Sequence, residues 1–185
     1  MKKVALFTAL LFATATFVSA QMSMAQDKSK RPSPPASAEC KFSDGKTIKV
    51  DYSSPRAKGR KIFGAASDKA VVPFGEVWRT GANEATTFVT GANVMVGGKE
   101  VPAGSYTVFT IPKADGWTLA ISKKTGEWGT DYPGEGEDVA RATMSVAKTA
   151  APVENFTIGF DQAGGKCTLR MEWENTRASV EIEEK

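Results

Sequence analysis

The sequence predicts an all-β protein, an antiparallel β-sandwich of about nine or ten short strands. Apolar and polar residues alternate with a period of two in many short runs, and turn-forming Gly, Pro, Asn and Asp separate these runs. No long run has the period of a helix. Because each run has one apolar and one polar face, two sheets packed face to face would bury the apolar side of all of them.

Residues 1–20 have the pattern of a secretory signal peptide. Two lysines precede an uncharged apolar run from Val4 to Val18, and small residues then offer a cleavage site after Ala20, with cleavage after Ala25 as the alternative. The run is shorter than the roughly 20 residues that span a bilayer. We therefore expect export to the periplasm or the medium, with no membrane span after cleavage.

Residues 21–37 are polar and proline-rich, and they predict a disordered lead-in to a single β-sandwich domain at 38–185. The whole chain has 24 Lys and Arg against 21 Asp and Glu, a net charge of +3; without Lys2 and Lys3 it is 3 − 2 = +1. Charges of both signs are interspersed, so no nucleic-acid partner is expected. The expected partner is instead a small molecule, a glycan or an envelope protein.

The strand runs follow one another along the domain. The first two flank the turn Ser43–Gly45 and predict a hairpin. Residues 139–149 fit either a strand or a helix, and their two-residue alternation favours a strand. The other alternating runs lie at 86–90, 94–96, 105–111, 117–121, 156–160, 167–173 and 178–182.

The chain contains no histidine and only two cysteines. Catalysis by Ser-His-Asp or Cys-His groups is therefore excluded, as are His-ligated and Cys-rich metal sites. An active site would have to use carboxylates, Lys, Tyr, Ser, Thr or Arg. We predict neither a metal nor a cofactor.

The two cysteines, Cys40 and Cys167, both lie in the apolar phase of their strands. In an oxidising compartment such a pair is expected to form a disulfide. Two buried free thiols remain the alternative, because facing inward does not by itself bring two Cα atoms within bonding reach. The sequence contains no Cys-x-x-Cys motif, so a redox role for the two cysteines is not indicated.

Five motifs in order resemble those of a bacterial family of exported proteins known as domain of unknown function 2911. They lie at 54–64, 72–86, 101–112, Trp128–Gly129 and Trp173–Arg177. The resemblance covers nearly all of the mature domain. It implies an exported, β-rich domain, but it implies no activity and no catalytic residues.

The segment Trp78–Glu84 is the candidate site, because it is too polar for a core strand and too aromatic for an ordinary loop. Arg79 could bind a carboxylate or a pair of sugar hydroxyls, Asn83 could add a neutral donor and acceptor, and Glu84 could act as ligand or base. Trp78 or Trp128 would supply an aromatic face.

Other interpretations of the same residues stay open. In a purely structural domain, Arg79 and Glu84 would pair with one another or with Arg177. In a glycosidase-like hydrolase, Glu84 would work with Asp131 or Glu76 as a second carboxylate. A further interpretation places a Ca²⁺ ion in the long loop, on residues drawn from Asp131, Tyr132, Glu135, Glu137 and Asp138.

The first functional hypothesis is a non-enzymatic extracytoplasmic binding domain. Trp78, Arg79, Asn83 and Glu84, with Trp128 and Tyr132 of the long loop, form the predicted ligand site. Glu84 and Asp131 are the catalytic candidates. The alternatives are a carboxylate-based hydrolase and a purely structural domain.

Overall fold

The computed structural model describes residues 27–185, so the predicted signal peptide lies outside the described residues. Within residues 27–185, three short 3₁₀ helices span Lys28–Lys30, Ala66–Asp68 and Glu135–Glu137. No helix in this part of the chain is long and apolar enough to cross a membrane. The strands β1 to β11 are, in order, Pro35–Lys41, Thr47–Ser53, Phe63–Gly64, Val72–Pro73, Thr86–Thr90, Val94–Val96, Lys99–Val101, Gly104–Ile111, Trp117–Ser122, Asp138–Ala163 and Lys166–Glu184.

Nine of these strands form one antiparallel sheet in the order β1-β2-β5-β8-β9-β10-β11-β6-β7. The remaining two, β3 and β4, form a small parallel pair. The sheet folds back on itself, because residues from its two ends share one hydrophobic core. The all-β antiparallel prediction is confirmed, and residues 139–149 belong to a strand.

Two strands are much longer than the short strands that we expected. β10 has 26 residues and β11 has 19. The first part of β10 pairs with β9 and its later part pairs with β11, with register shifts between Lys148 and Thr157. The polar segment Glu174–Arg177, which breaks the sequence alternation, lies inside β11. Register shifts such as those in β10 bend a strand, so one strand can take part in both layers of a folded sheet.

The main core contains a group of packed aromatic rings. Trp78 stacks on Trp173 with 5.8 Å between ring centroids, and it meets Phe156 edge-on at 4.8 Å. Phe63 and Trp117 complete the group. These rings have little exposed surface, and aromatic groups of this size contribute much of the apolar burial of a small domain.

A disulfide joins Cys40 of β1 to Cys167 of β11, with 6.2 Å between their Cα atoms. The predicted pairing is therefore confirmed. The bridge closes 127 residues of chain and links two strands that are far apart in the order of the sheet.

A smaller apolar cluster lies on the opposite, outer face of β8 and β9. Phe109, Ile111 and Ala120 alternate with residues of the main core along these strands. Val77 and Tyr132 pack against them. The long loop between β9 and β10 therefore covers this face of the sheet instead of extending into solvent.

The folded domain begins before the predicted boundary at residue 38. β1 starts at Pro35, and residues 28–30 already form a turn of 3₁₀ helix. The backbone nitrogen of Ser54 donates to the Pro34 carbonyl at 2.9 Å. The second half of the expected disordered lead-in is thus part of the domain, whereas its first residues lie outside the described part.

Candidate functional site

Trp78 does not offer an aromatic face to a ligand. Its side chain is only 7% exposed and lies among the core rings. The indole Nε1 donates to the Gly81 carbonyl at 3.0 Å, and the backbone exchanges two hydrogen bonds with Thr110. Trp78 therefore anchors the candidate segment to the core.

The residues that follow Trp78 have an unusual backbone. Thr80 is fully buried at φ +57°, a conformation that β-branched residues rarely adopt. Its hydroxyl bonds to that of Thr110 at 3.1 Å, and its carbonyl accepts from the Thr86 hydroxyl at 2.7 Å. A β-carbon at Gly81 would lie 2.9 Å from the Ser53 carbonyl, so this position needs glycine. Buried hydrogen bonds thus hold a strained loop in a defined shape.

Arg79 pairs with none of its expected partners. The buried Nε has no hydrogen-bond partner, and the guanidinium has no ion pair within residues 27–185. The other arginines of these residues all bond to carboxylates or carbonyls. A β-carbon at Gly129 would lie 3.4 Å from Arg79 Nη1, so the long loop passes directly beside the guanidinium.

Glu84 binds the basic residues near the start of the domain. Arg31 Nη1 donates to both carboxylate oxygens at 2.9 and 3.0 Å, and Lys28 Nζ lies 2.9 Å from Oε1. Partial burial raises the pKa of Glu84, but hydrogen bonds from Lys28, from the Glu84 backbone and from Arg31 outweigh it and lower the pKa to about 2. The carboxylate is therefore charged throughout the neutral pH range.

Asn83 lies between the N-terminal segment and the long loop. Its Nδ2 donates to the Ser33 carbonyl at 3.0 Å, and its own carbonyl accepts from Gly129 at 3.3 Å. Glu84 forms a β-bridge with Trp128. Segments 83–85 and 127–129 are thus paired through their backbones.

Trp128 is the most exposed of the large apolar side chains in residues 27–185, at 56%. The β-bridge to Glu84 fixes its backbone beside the candidate segment. Of the two tryptophans considered as aromatic platforms, only Trp128 presents a ring to solvent.

Tyr132 belongs to a separate polar network. Its hydroxyl donates to Asp138 Oδ2 at 2.5 Å, and Arg141 Nη1 donates to both groups at 2.9 and 2.8 Å. Burial raises the pKa of Tyr132, and the Asp138 carboxylate raises it further. The ring packs edge-on against Phe109 at 5.1 Å. Tyr132 therefore ties the long loop to the outer face of the sheet.

A cavity of about 320 Å³ lies beside Glu84, within the size range of small-ligand pockets. The N-terminal segment, β2, the start of β5 and the long loop all contribute to its wall. Its charged lining residues are Lys28, Arg31, Asp51, Glu84 and Glu127. Glu84 is the only residue of the predicted ligand site that lines this cavity.

A family model described as a protein of unknown function (DUF2911) matches residues 33–182. The chain belongs to this family. The resemblance inferred from the sequence motifs is thereby confirmed. No curated protein and no solved structure matches the chain. Membership in the DUF2911 family implies no activity, so any function must be argued from the geometry of the site.

The carboxylates considered for catalysis or for Ca²⁺ are not gathered into a metal site. No group of three or more acidic or cysteine side chains within residues 27–185 is arranged to hold a metal ion. Asp131 and Glu76 are exposed. Asp138 is engaged by Tyr132 and Arg141.

Sequence reasoning missed Lys28, Arg31 and Arg141 as partners of the candidate residues. A usable signal for the first two was the basic run at 28–31, which contrasts with the acidic residue of the Trp78–Glu84 segment. Arg141 gave no such signal, because one arginine in an alternating strand resembles any solvent-facing residue.

Proposed function

We propose that this DUF2911 domain is an exported, non-enzymatic binding domain that recognises an anionic ligand, a carboxylate-bearing sugar or an acidic group of an envelope protein. Arg79 is the anchor and Trp128 is the aromatic platform. The observation that carries the proposal is the guanidinium of Arg79, which has no acidic partner within residues 27–185.

An unpartnered guanidinium in a half-buried position is costly. A buried donor without an acceptor loses about 1–3 kcal/mol relative to its hydrated state, and nearly all buried polar groups in proteins are bonded. A carboxylate ligand would supply the anionic partner that the guanidinium lacks among the described residues, since its two oxygens match the planar fork of arginine. Gly129 leaves the space beside Arg79 Nη1 free of a side chain.

Trp128 supports the same conclusion. A largely exposed indole ring offers apolar surface that a sugar ring or another apolar face removes from water when it packs on it, which favours binding. Such rings are frequent in binding sites. Its backbone is held to Glu84, so the ring is presented from an ordered position. The Cys40–Cys167 disulfide is compatible with the exported location.

A purely structural role is the second candidate. The buried hydrogen bonds of Thr80 and Thr86, and the saturation of Glu84 by two cations, favour a brace over a ligand site. A hydrolase has weaker support. With a pKa of about 2, Glu84 carries no proton to donate near neutral pH.

Thermal unfolding of the mature protein against uronic acids, dicarboxylates and neutral sugars tests the proposal. A ligand at a hundred times its Kd adds about 2.7 kcal/mol of stability to the native state, which raises the Tm by several degrees. We expect this shift with an acidic compound in the wild type and its loss in Arg79→Gln and Trp128→Ala.

Arg60→Gln is the matched control, because the bonds of Arg60 within the described chain go to carbonyls of its own loop. It should retain the full shift. If no compound shifts the wild-type Tm and Arg79→Gln alone lowers the Tm by several degrees, Arg79 is a structural residue and the binding proposal is wrong.

A further inference from the structure

The N-terminal segment 28–34 is seated on the cavity beside Glu84 and resembles a bound peptide. It is basic and proline-rich, and it contacts the rest of the domain through Lys28, Arg31 and the carbonyls of Ser33 and Pro34. The side chains of Lys28 and Arg31 bind the Glu84 carboxylate, while the carbonyls of Ser33 and Pro34 accept hydrogen bonds from Asn83 and Ser54. Peptide-binding sites commonly divide recognition in this way.

The cavity is also lined by acidic groups that the segment does not use. Asp51 and Glu127 line it together with Glu84, Lys28 and Arg31. Among the described residues, Asp51 forms an ion pair with Lys49, and Glu127 accepts from the Thr107 hydroxyl. The remaining carboxylate oxygens of Asp51 and Glu127 are acceptors, so a ligand that binds them in this cavity of about 320 Å³ must bring donors.

Polar contacts hold the first residues of the segment in place. None of the side chains of Lys28–Lys30 is buried, and Lys28 is more than half exposed. Exposed ion pairs contribute little to stability and weaken with salt. The Arg31 side chain is only 17% exposed and makes two bonds to Glu84, so a competitor must replace both of them. Because none of residues 28–34 belongs to the hydrophobic core, a cationic segment that does so can displace them without unfolding the core.

We propose that this cavity is a docking site for an extended, cationic segment of a partner protein, and that residues 28–34 are an intramolecular ligand that competes for it. Neither Arg79 nor Trp128 lines this cavity, although the β-bridge between Glu84 and Trp128 makes the two sites neighbours, and the charge of the ligand is opposite. One basic side chain of the partner takes the position of Arg31 and binds the Glu84 carboxylate. A second basic side chain binds Asp51 and Glu127.

A fluorescein-labelled peptide with the sequence of residues 27–36 is the probe, and fluorescence anisotropy measures its Kd. In the variant Lys28→Gln/Arg31→Gln the intramolecular competitor is weakened. We expect the peptide to bind this variant about tenfold more tightly than the wild type, because a site that is mostly occupied has a proportionally lower apparent affinity. Adding Glu84→Gln or Asp51→Asn should weaken binding again.

Three controls test whether the peptide binds specifically to this cavity. A peptide with Gln at its Lys and Arg positions should not bind. Asp161→Asn, which removes an exposed carboxylate elsewhere, should leave the Kd unchanged. Arg79→Gln should also leave it unchanged, so the failure of one proposal does not imply failure of the other.

Three results would overturn the proposal. The first is a peptide that binds neither protein, and the second is binding that stays equally tight with Glu84→Gln and Asp51→Asn. The third is a wild-type dimer formed by exchange of residues 28–34, which analytical ultracentrifugation detects and which would make a second copy the occupant. Thermal unfolding of each variant verifies that loss of binding does not reflect loss of the fold.

Discussion

The two faces of the β8–β9 region are built by different means. The inner face packs Val108, Leu119 and Ile121 into the main apolar core, whereas the outer face carries a small apolar cluster covered by the long loop. The neighbours Val77 and Trp78 illustrate the contrast, because Val77 packs against the outer cluster and Trp78 lies in the core. One sheet thus separates a structural surface from a candidate binding surface.

The difference indicates where function can be located in this fold. Inner-face residues are stabilised by ring packing, by burial and by a covalent bridge, which leaves no room for a ligand. On the outer face, hydrogen bonds and ion pairs hold the covering segments, and one guanidinium stays without a partner in the described chain. Substitutions on the two faces should therefore have effects of very different size.

Removal of the disulfide should have the largest effect. Cys40→Ala/Cys167→Ala opens a closed loop of 127 residues, and the chain-entropy model predicts a loss of about 4–5 kcal/mol in the free energy of unfolding. Urea unfolding of the oxidised wild type and the double variant measures this loss. A difference below about 1 kcal/mol would show that the bridge does not constrain the unfolded chain as this model assumes.

A matched pair of tryptophan substitutions tests the comparison directly. Trp173→Ala removes a fully buried ring and its hydrogen bond to the Glu154 carbonyl, so we expect a loss of about 3–5 kcal/mol. Trp128→Ala removes an exposed ring and should change stability by less than about 0.5 kcal/mol. Comparable losses for the two in urea unfolding would contradict the assignment of Trp128 to a free surface.

The outer network should have an intermediate effect. Tyr132→Phe keeps the contact with Phe109 but removes the hydroxyl that donates to Asp138, whose side chain is only 2% exposed. We expect a loss of about 1–2 kcal/mol, because the buried carboxylate loses a donor. Hydrogen exchange should show faster opening of residues 123–137 with little change in β11. Uniform loss of protection would mean that the loop unfolds only with the core.

The ion pairs of Glu84 should have a small effect on stability, and this effect should depend on pH. Because the folded-state pKa is lowered from 4.5 to about 2, the contribution is complete above pH 4.5 and is lost as the pH falls toward 2. The side chain is 37% exposed, so solvent screening limits the contribution to about 1 kcal/mol.

The stability difference between wild type and Glu84→Gln measures this contribution. It should be constant from pH 7 to 5 and should shrink between pH 4.5 and 2. Glu39→Gln serves as the control, since Glu39 is exposed and has no ion pair among the described residues. A difference that does not change with pH would show that Lys28 and Arg31 do not hold Glu84 in solution.

Much of the fold was predictable from local patterns. The alternation in residues 167–173 identified a strand with one buried face, and the inward phase of Cys40 and Cys167 indicated their pairing. The site was less predictable. The same pattern reasoning that selected Trp78 as a platform could not separate a core tryptophan from a surface one, because both occur beside polar residues and turns.

The sequence by itself determined the all-β class, the family and the segments that carry unusual residues, because side-chain periodicity and motif order are local properties of the chain. Only the tertiary structure decided which face each residue occupies and which distant residues it meets. The pairing of Arg31 with Glu84 spans 53 positions, and the unpartnered state of Arg79 within the described chain depends on every element packed around it. Such contacts arise from the folding of the sheet, which periodicity does not encode.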